Sequence, residues 1–213
     1  MGVIKKGILG GVSGKVGTVI GGSWKGIDYL RSIPASVANP KTQKQQMQRS
    51  KFLLVLNFLK PLTGFVSVGF RQYANQQTGF NVAMSYNVKN AVSGTYPNYT
   101  MNYPNAQLSR GQLTGVSTPA VVSTVSKTLH ITWQDNSTIG NAKTTDLASF
   151  VIYFPTLNEA FYVFNTMPRN VGIIDLVLPA KYSTKQAQCY MTFQSADGQE
   201  IANSTYIGSV TVM

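Results

Sequence analysis

The stretch 39–61, NPKTQKQQMQRSKFLLVLNFLKP, constrains the fold more than any other part of the chain. Its first half is basic and rich in glutamine, and its second half is almost entirely apolar. Asn39 suits a helix N-cap and Pro40 the first helical turn, whereas Pro61 ends or kinks a helix. The pattern therefore predicts a central helix over residues 39–61, with its apolar end, residues 52–59, buried on most sides.

The polar half of this helix concentrates its charge on one side. Four residues recur at intervals of three, four and three, which places them on one helical face: Lys41, Lys44, Gln48 and Lys51. Arg49 lies off that line. Basic residues near a helix N-terminus oppose the helix dipole, so intrinsic helix stability does not account for them. Their presence favours a partner.

The segment before this helix alternates short β-prone runs with glycine pairs. Residues 3–9, 15–20 and 27–33 are candidate strands, and the glycines between them mark turns. This pattern predicts an N-terminal glycine-rich β-meander. After the central helix, residues 62–74 and 80–91 are candidates for further helices, and the Pro-, Gly-, Asn- and Tyr-rich residues 94–118 are typical of a loop.

The last third of the chain has the period of two that is typical of half-buried strands. Leu129, Ile131 and Trp133 alternate with polar residues, and about seven such segments follow one another between residues 120 and 212. We therefore expect an α+β, mainly β fold. An N-terminal glycine-rich β-meander and helices (1–115) precede a C-terminal immunoglobulin/fibronectin III-like β-sandwich (116–213).

The net charge of +11 is unevenly distributed. Residues 1–115 contain 13 Lys and Arg against one acid, Asp28, whereas residues 116–213 contain five against six acids. Such asymmetry indicates a basic half that meets something anionic, although solubility alone is the competing interpretation. The residues expected to form the basic binding surface are Lys5, Lys6, Lys15, Lys25, Arg31, Lys41, Lys44, Arg49 and Lys51.

Catalytic patterns are weak in this sequence. The chain has one histidine, His130, and one cysteine, Cys189, which fall on opposite sides of their predicted strands. Neither a zinc-binding spacing nor a paired-carboxylate motif stands out, although an acidic pair among the C-terminal acids remains an alternative. We therefore expect no enzyme activity, no cofactor and no metal.

Targeting patterns are equally weak. The apolar run at the N-terminus is short and interrupted by lysines, so it does not resemble a signal peptide. No run reaches the roughly 18 apolar residues of a membrane span. The sequence predicts a protein without a membrane span that is cytoplasmic, or part of a virion assembled in the cytoplasm.

Four segments of the chain are distinctive: MGVIKKGILGGVSGKVGTVIGGSWKGIDYLRSIP, NPKTQKQQMQRSKF, AMSYNVKNAVSGTYPNYTMNYPNAQLSRGQL and QCYMTFQSADGQEIANSTYIGSVTV. Over essentially the full length they resemble an uncharacterised family, a domain of unknown function, of Bacteroidota proteins. That family has no assigned activity, so the resemblance implies no catalytic residues. It implies a bacterial source, with members also expected in phages of these bacteria.

Three functions remain open at this point. The first is a non-enzymatic structural protein of a phage particle or similar assembly, whose basic region contacts nucleic acid or a neighbouring subunit. The second is a host cytoplasmic nucleic-acid-binding module. The third is an adhesion or glycan-binding protein that uses the sandwich and the tyrosine-rich loop that precedes it. The expected partners are other protein subunits, as a homo- or hetero-oligomer, and nucleic acid through phosphate contacts.

Overall fold

The computed structural model describes residues 2–4, 7, 10–36 and 41–213, and it divides the chain into two units, Met1–Thr42 and Gln43–Met213. Lys5, Lys6, Asn39 and Pro40, to which the sequence assigned roles, lie outside the described residues. The chain is mostly β-sheet with one long helix, as the sequence predicts. The division after Thr42 differs from the boundary expected after residue 115.

The first unit is a four-stranded antiparallel sheet in the order β1-β2-β3-β4. Its strands are β1 (Val3–Ile4), β2 (Val12–Val16), β3 (Val19–Trp24) and β4 (Ile27–Ser32). The strand expected over residues 15–20 is wrong, because a turn at Gly17 (φ 57°) separates Val16 from its partner Val19. Lys25 (φ 51°) and Gly26 (φ 84°) form the next two-residue turn, with the positive φ values that suit a twisted hairpin.

The second unit begins with a helical layer. Its helices are α1 (Gln43–Leu59), α2 (Thr63–Gly69) and α3 (Gly79–Asn90). Lys41 has a φ of 47° and precedes α1, so its expected place on the basic helical face is wrong. Pro61 does not end the helical stretch, because it lies in the first turn of a 3₁₀ segment, Lys60–Leu62, that connects α1 directly to α2.

This continuity makes the helical stretch longer than the sequence suggests. Gln43–Gly69 spans 27 residues, and an 18-residue window within it reaches a mean hydropathy of 1.6, enough by length and composition to cross a membrane. One such helix is weak evidence for a span, because the core helix of a globular protein passes the same test of length and composition; 39% of this window is buried within the protein. Val55, Phe58 and Leu59 pack in the core, whereas Phe52 and Leu53, which we expected to be buried, are exposed.

Two sheets form the rest of the second unit, preceded by a small hairpin of β5 (Val92–Thr95) and β6 (Asn98–Met101). One sheet has the order β10-β9-β12-β13 and the other β11-β8-β7. All pairings are antiparallel. The strands are β7 (Ser117–Val122), β8 (Thr128–Gln134), β9 (Leu147–Phe154), β10 (Glu159–Pro168), β11 (Ile173–Val177), β12 (Gln186–Gln194) and β13 (Thr205–Thr211). They overlap the seven segments expected from the sequence.

In the four-stranded sheet of the second unit, the inner strands are buried on both faces. Along β9, Phe150 and Ile152 belong to the core between the two sheets, while Val151 and Tyr153 pack against the helices. Tyr190 of β12 lies in the same helix-facing core. A strand buried on both faces ties the helical layer to the sandwich within the second unit.

Candidate functional site

The basic residues singled out by the sequence fall on both units. Lys15, Lys25, Arg31 and Lys41 belong to the first unit and are exposed. Lys44, Arg49 and Lys51 lie on α1 in the second unit, where Lys51 is half-buried. The structure brings Lys15 and Arg31 onto one sheet face, and Lys51 lines a groove between α1 and α3.

Lys15 and Arg31 lie in one row across three strands. Lys15 is paired with Ile20, and Ile20 is paired in turn with Arg31. Directly opposed residues of antiparallel strands point to the same side of a sheet. The two cationic side chains therefore flank Ile20 on one face, about 10 Å apart at two strand spacings.

Aromatic side chains occupy the same face. Tyr29 is paired with Gly22, and Trp24 with Ile27, both in register with the row of Lys15 and Arg31. Trp24 is 63% exposed and Tyr29 is 44% exposed. We call this surface the basic face: Lys15, Ile20, Trp24, Ile27, Tyr29 and Arg31.

The neighbouring turn adds a cation to the basic face. The Lys25 Nζ lies 4.8 Å from the centre of the Trp24 ring, within cation–π distance. The Tyr29 ring crosses Gly22, where a Cβ would lie only 3.2 Å from its Cζ and Oη atoms. A glycine at this position therefore lets the ring extend over the sheet.

Asp28, the single acid among residues 1–115, lies on the face of the first unit's sheet opposite the basic face. Asp28 is paired with Ser23, one residue out of phase with Trp24 and Tyr29, so its side chain points away from the basic face. A Cβ at Gly11 would meet the Asp28 carboxylate at 1.9 Å, which shows how closely that side chain approaches β2. The register thus separates the negative charge from the cations.

A second surface lies between α1 and α3. A groove of about 650 Å³ is lined by Lys51 and Phe52 of α1 and by Phe80, Met84, Val88 and Lys89 of α3. Gln48, Asn81 and Ser85 complete the lining, so apolar and polar side chains are mixed, and the two lysines give the groove a positive charge. The Nζ atom of Lys51 also lies 5.0 Å from the centre of the Tyr99 ring.

The sequence supplies no counter-charge to this groove from nearby in the chain. Residues 43–115 contain seven Lys and Arg and no Asp or Glu. Six of the chain's seven acids lie between residues 135 and 200. The helical layer is therefore cationic throughout, and an acidic partner would complement it.

The histidine and the cysteine of the chain lie in different surroundings. His130 Nδ1 lies 2.7 Å from Asp175 Oδ1 on paired positions of β8 and β11. Cys189 is fully buried, and burial raises the pKa of its thiol to about 12. Within the described ranges, no group of three or more His, Cys, Asp or Glu side chains is placed to hold a metal ion.

Sequence reasoning missed Trp24, Tyr29 and Lys89 as parts of these surfaces. The first two were detectable, because the Lys25-Gly26 turn fixes the hairpin register and the period of two then places Ile27, Tyr29 and Arg31 on one side. Lys89 joins Lys51 only through the packing of α3 on α1. No local pattern could reveal that contact.

Comparison with known proteins gives a family but no activity. The model of a protein family described as a family of unknown function (DUF6266) matches residues 11–208. No curated protein matches the chain. A solved structure, the fn3 domain of human collagen alpha-1(XX) chain, is similar at 14% identity and a TM-score of 0.33 over 47% of this chain and 87% of that one. Such a weak likeness gives no information on ligands.

Proposed function

The chain belongs to a family of unknown function (DUF6266), and we propose that it is a non-enzymatic structural protein of a phage particle or similar assembly. In this proposal the basic face of the first unit contacts the phosphate backbone of nucleic acid, without reading base sequence. The α1–α3 groove contacts a neighbouring subunit.

The observation that carries the nucleic-acid contact is the separation of charge across the first sheet. Lys15 and Arg31 share one face, and Asp28 points to the opposite one. A polyanion bound to that face meets cations and no carboxylate of the first unit.

The subunit contact rests on charge complementarity, and its occupant is a second copy of this chain. Lys51 and Lys89 line the groove, and the helical layer carries no acid. The sandwich exposes four carboxylates: Asp135, Asp175, Asp197 and Glu200. A head-to-tail contact of groove and sandwich is heterologous, so it builds a ring or an open filament.

The finer assignments belong to the same proposal. The C-terminal sheets are those of an immunoglobulin/fibronectin III-like sandwich, supported by their division into four and three strands and by Trp133 in the core between them. A source in Bacteroidota or their phages, supported by the sequence resemblance, and assembly in the cytoplasm are parts of the same proposal.

Salt-dependent binding tests the nucleic-acid contact. The wild-type protein should bind a mixed-sequence DNA duplex with an affinity that falls steeply as salt rises. The double variant Lys15→Glu/Arg31→Glu should flatten the log–log salt slope by about 1.8, at roughly 0.9 for each lost phosphate contact. The control Lys127→Glu/Lys143→Glu changes the net charge equally on the sandwich and should bind as wild type. Equal losses in both variants, or no binding at all, would refute the contact.

Sedimentation velocity tests the subunit contact. The wild-type protein should form concentration-dependent oligomers, and Lys51→Glu/Lys89→Glu should leave it monomeric. Lys60→Glu/Lys44→Glu, a matched change on the same helical layer outside the groove, should still assemble. A wild-type protein that stays monomeric, and is absent from purified particles by mass spectrometry, would remove the structural function.

The alternative of a host nucleic-acid-binding module is favoured by the same basic face. It predicts salt-sensitive binding by a protein that stays monomeric, so the two experiments together separate it from the structural function. An adhesion protein would bind its ligand through exposed tyrosines. The tyrosines of this region are less suited to that function, because Tyr86, Tyr96, Tyr99 and Tyr103 are all half-buried.

A further inference from the structure

We propose that the basic face is a platform for single-stranded nucleic acid, on which unpaired bases stack against Trp24 and Tyr29. This inference rests on the proposed function, because it takes the phosphate contact as given. It adds the state of the nucleic acid and the residues that select it.

The two rings are placed as a stacking pair. Trp24 lies two residues along β3 from Gly22, and Gly22 is the partner of Tyr29, so the two aromatic positions are diagonal neighbours on one face. Diagonal positions lie about 7–8 Å apart, within reach of large side chains. Because Gly22 has no side chain, nothing from the central strand separates the two rings, and successive bases can lie against both.

Cations flank these rings on two sides. Lys25 lies over the Trp24 ring at the turn, and Arg31 follows Tyr29 by two residues on the same face of β4. Lys15 is in the row of Arg31 on the far side of β3. A strand whose bases stack on the rings therefore has positive charge available to its phosphates at both ends. Exposed aromatics within a cationic surface are the usual means of binding single strands without sequence preference.

The same arrangement disfavours a duplex as the ligand. In a duplex the faces of the bases are covered by their neighbours, so exposed rings on a sheet have nothing to stack on. A duplex would use only the cations, and Trp24 and Tyr29 would remain in water. Two exposed aromatic rings in register with the cations thus favour unpaired bases over paired ones.

Tryptophan fluorescence offers a direct test on the full chain. The chain has two tryptophans, and Trp24 is exposed while Trp133 is 5% exposed, so quenching by a ligand reports on Trp24. Oligo(dT), oligo(U) and a DNA duplex of equal length serve as ligands. Both single strands should quench the fluorescence and bind at least tenfold more tightly than the duplex. The comparison of dT with U shows whether DNA or RNA is preferred.

Substitutions then test the stacking itself, with affinities measured from the anisotropy of a labelled oligonucleotide. Trp24→Ala and Tyr29→Ala should each weaken single-strand binding by about 5- to 150-fold, as expected for one lost stacking contact. Both should leave duplex binding unchanged. Trp24→Phe and Tyr29→Phe keep a ring and should bind within a few-fold of wild type, which separates stacking from folding defects.

Three outcomes would overturn the inference. If the duplex binds as tightly as the single strands and the alanine variants bind as wild type, the phosphate contact is supported and the proposed stacking on Trp24 and Tyr29 is wrong. If no nucleic acid binds, both fail. If the protein binds vesicles of anionic phospholipid and no oligonucleotide, the exposed tryptophan and lysines serve a membrane surface instead.

Discussion

Arg169 and Asp146 form an ion pair inside the sandwich, with side chains that are 0% and 1% exposed. Both the Nε and Nη2 atoms of Arg169 lie 3.1 Å from Asp146 Oδ2. Nη1 donates to Asn136 Oδ1 at 2.6 Å, and Nη2 donates to the Thr114 carbonyl oxygen at 2.8 Å. Burial lowers the pKa of the Arg169 guanidinium, and the Asp146 carboxylate opposes that shift.

Replacing the acid of this pair should destabilise the protein strongly. Asp146→Asn leaves a buried guanidinium without its counter-charge, and we expect the free energy of unfolding to fall by about 3–5 kcal/mol. Asp175→Asn is the control, because the exposed pair of Asp175 and His130 should contribute less than about 1 kcal/mol. Guanidinium denaturation of both variants measures the difference. Similar losses of free energy of unfolding in the two variants would show that the buried ion pair contributes no more to stability than the exposed one.

Two phenylalanines of α1 differ in burial, and this difference gives a second prediction. Phe58 is 1% exposed, and its ring lies 4.9 Å from the ring of Tyr153 in an edge-to-face contact. Phe58→Ala should lower the free energy of unfolding by about 3–5 kcal/mol. Phe52 on the same helix is 49% exposed, and Phe52→Ala should change it by about 0.5 kcal/mol or less. Thermal unfolding at low protein concentration would compare them, and a mild effect of Phe58→Ala would contradict the packing.

The positions of the strands were predictable from the sequence, whereas the layer that covers them was harder to predict. Alternation along β8 located that strand, because the residues of one face are buried and those of the other are mostly half-buried. The run from Phe150 to Phe154 has no polar alternation, which is typical of a strand buried on both faces. That run was the available indication that helices pack on the sandwich. Which helices do so depends on contacts distant in sequence.

The candidate surfaces were predictable to a similar degree. Composition located the cations, and the Lys25-Gly26 turn sets the register that puts Arg31 beside the aromatics. Helical periodicity wrongly included Lys41, because a left-handed backbone precedes α1. Lys51 was found by periodicity, but its groove requires α3, which a local pattern cannot place.

The shared core predicts how fragments behave. Residues 116–213 alone would expose Val151, Tyr153 and Tyr190, which are at most 5% exposed in the whole chain. We expect that fragment to aggregate or to bind a hydrophobic dye, since an apolar face of this kind is a self-association hazard. Residues 43–213 keep the helical layer and should unfold in one cooperative transition. A monomeric 116–213 fragment with the same melting temperature would contradict this prediction and support a domain boundary near residue 115.

Alkaline pH should destabilise the protein through the tyrosines beneath the helices. Burial raises the pKa of Tyr153 from 10.0 to about 12 and raises those of Tyr103, Tyr190 and Tyr206 as well. The unfolded chain releases these protons near pH 10, so between about pH 9 and 12 the folded state binds more protons. The contribution of these tyrosines to the free energy of unfolding therefore falls as pH rises through that window and does not change with pH below it.

The variant Tyr153→Phe isolates one of these groups. At pH 7.5 it measures only the loss of the hydroxyl, whose oxygen lies 3.0 Å from Asn158 Oδ1. Between pH 9 and 11 its denaturation midpoint should fall less steeply than that of the wild type, because one fewer proton is released on unfolding. Parallel pH profiles for the two proteins would show that Tyr153 titrates alike in the folded and unfolded states.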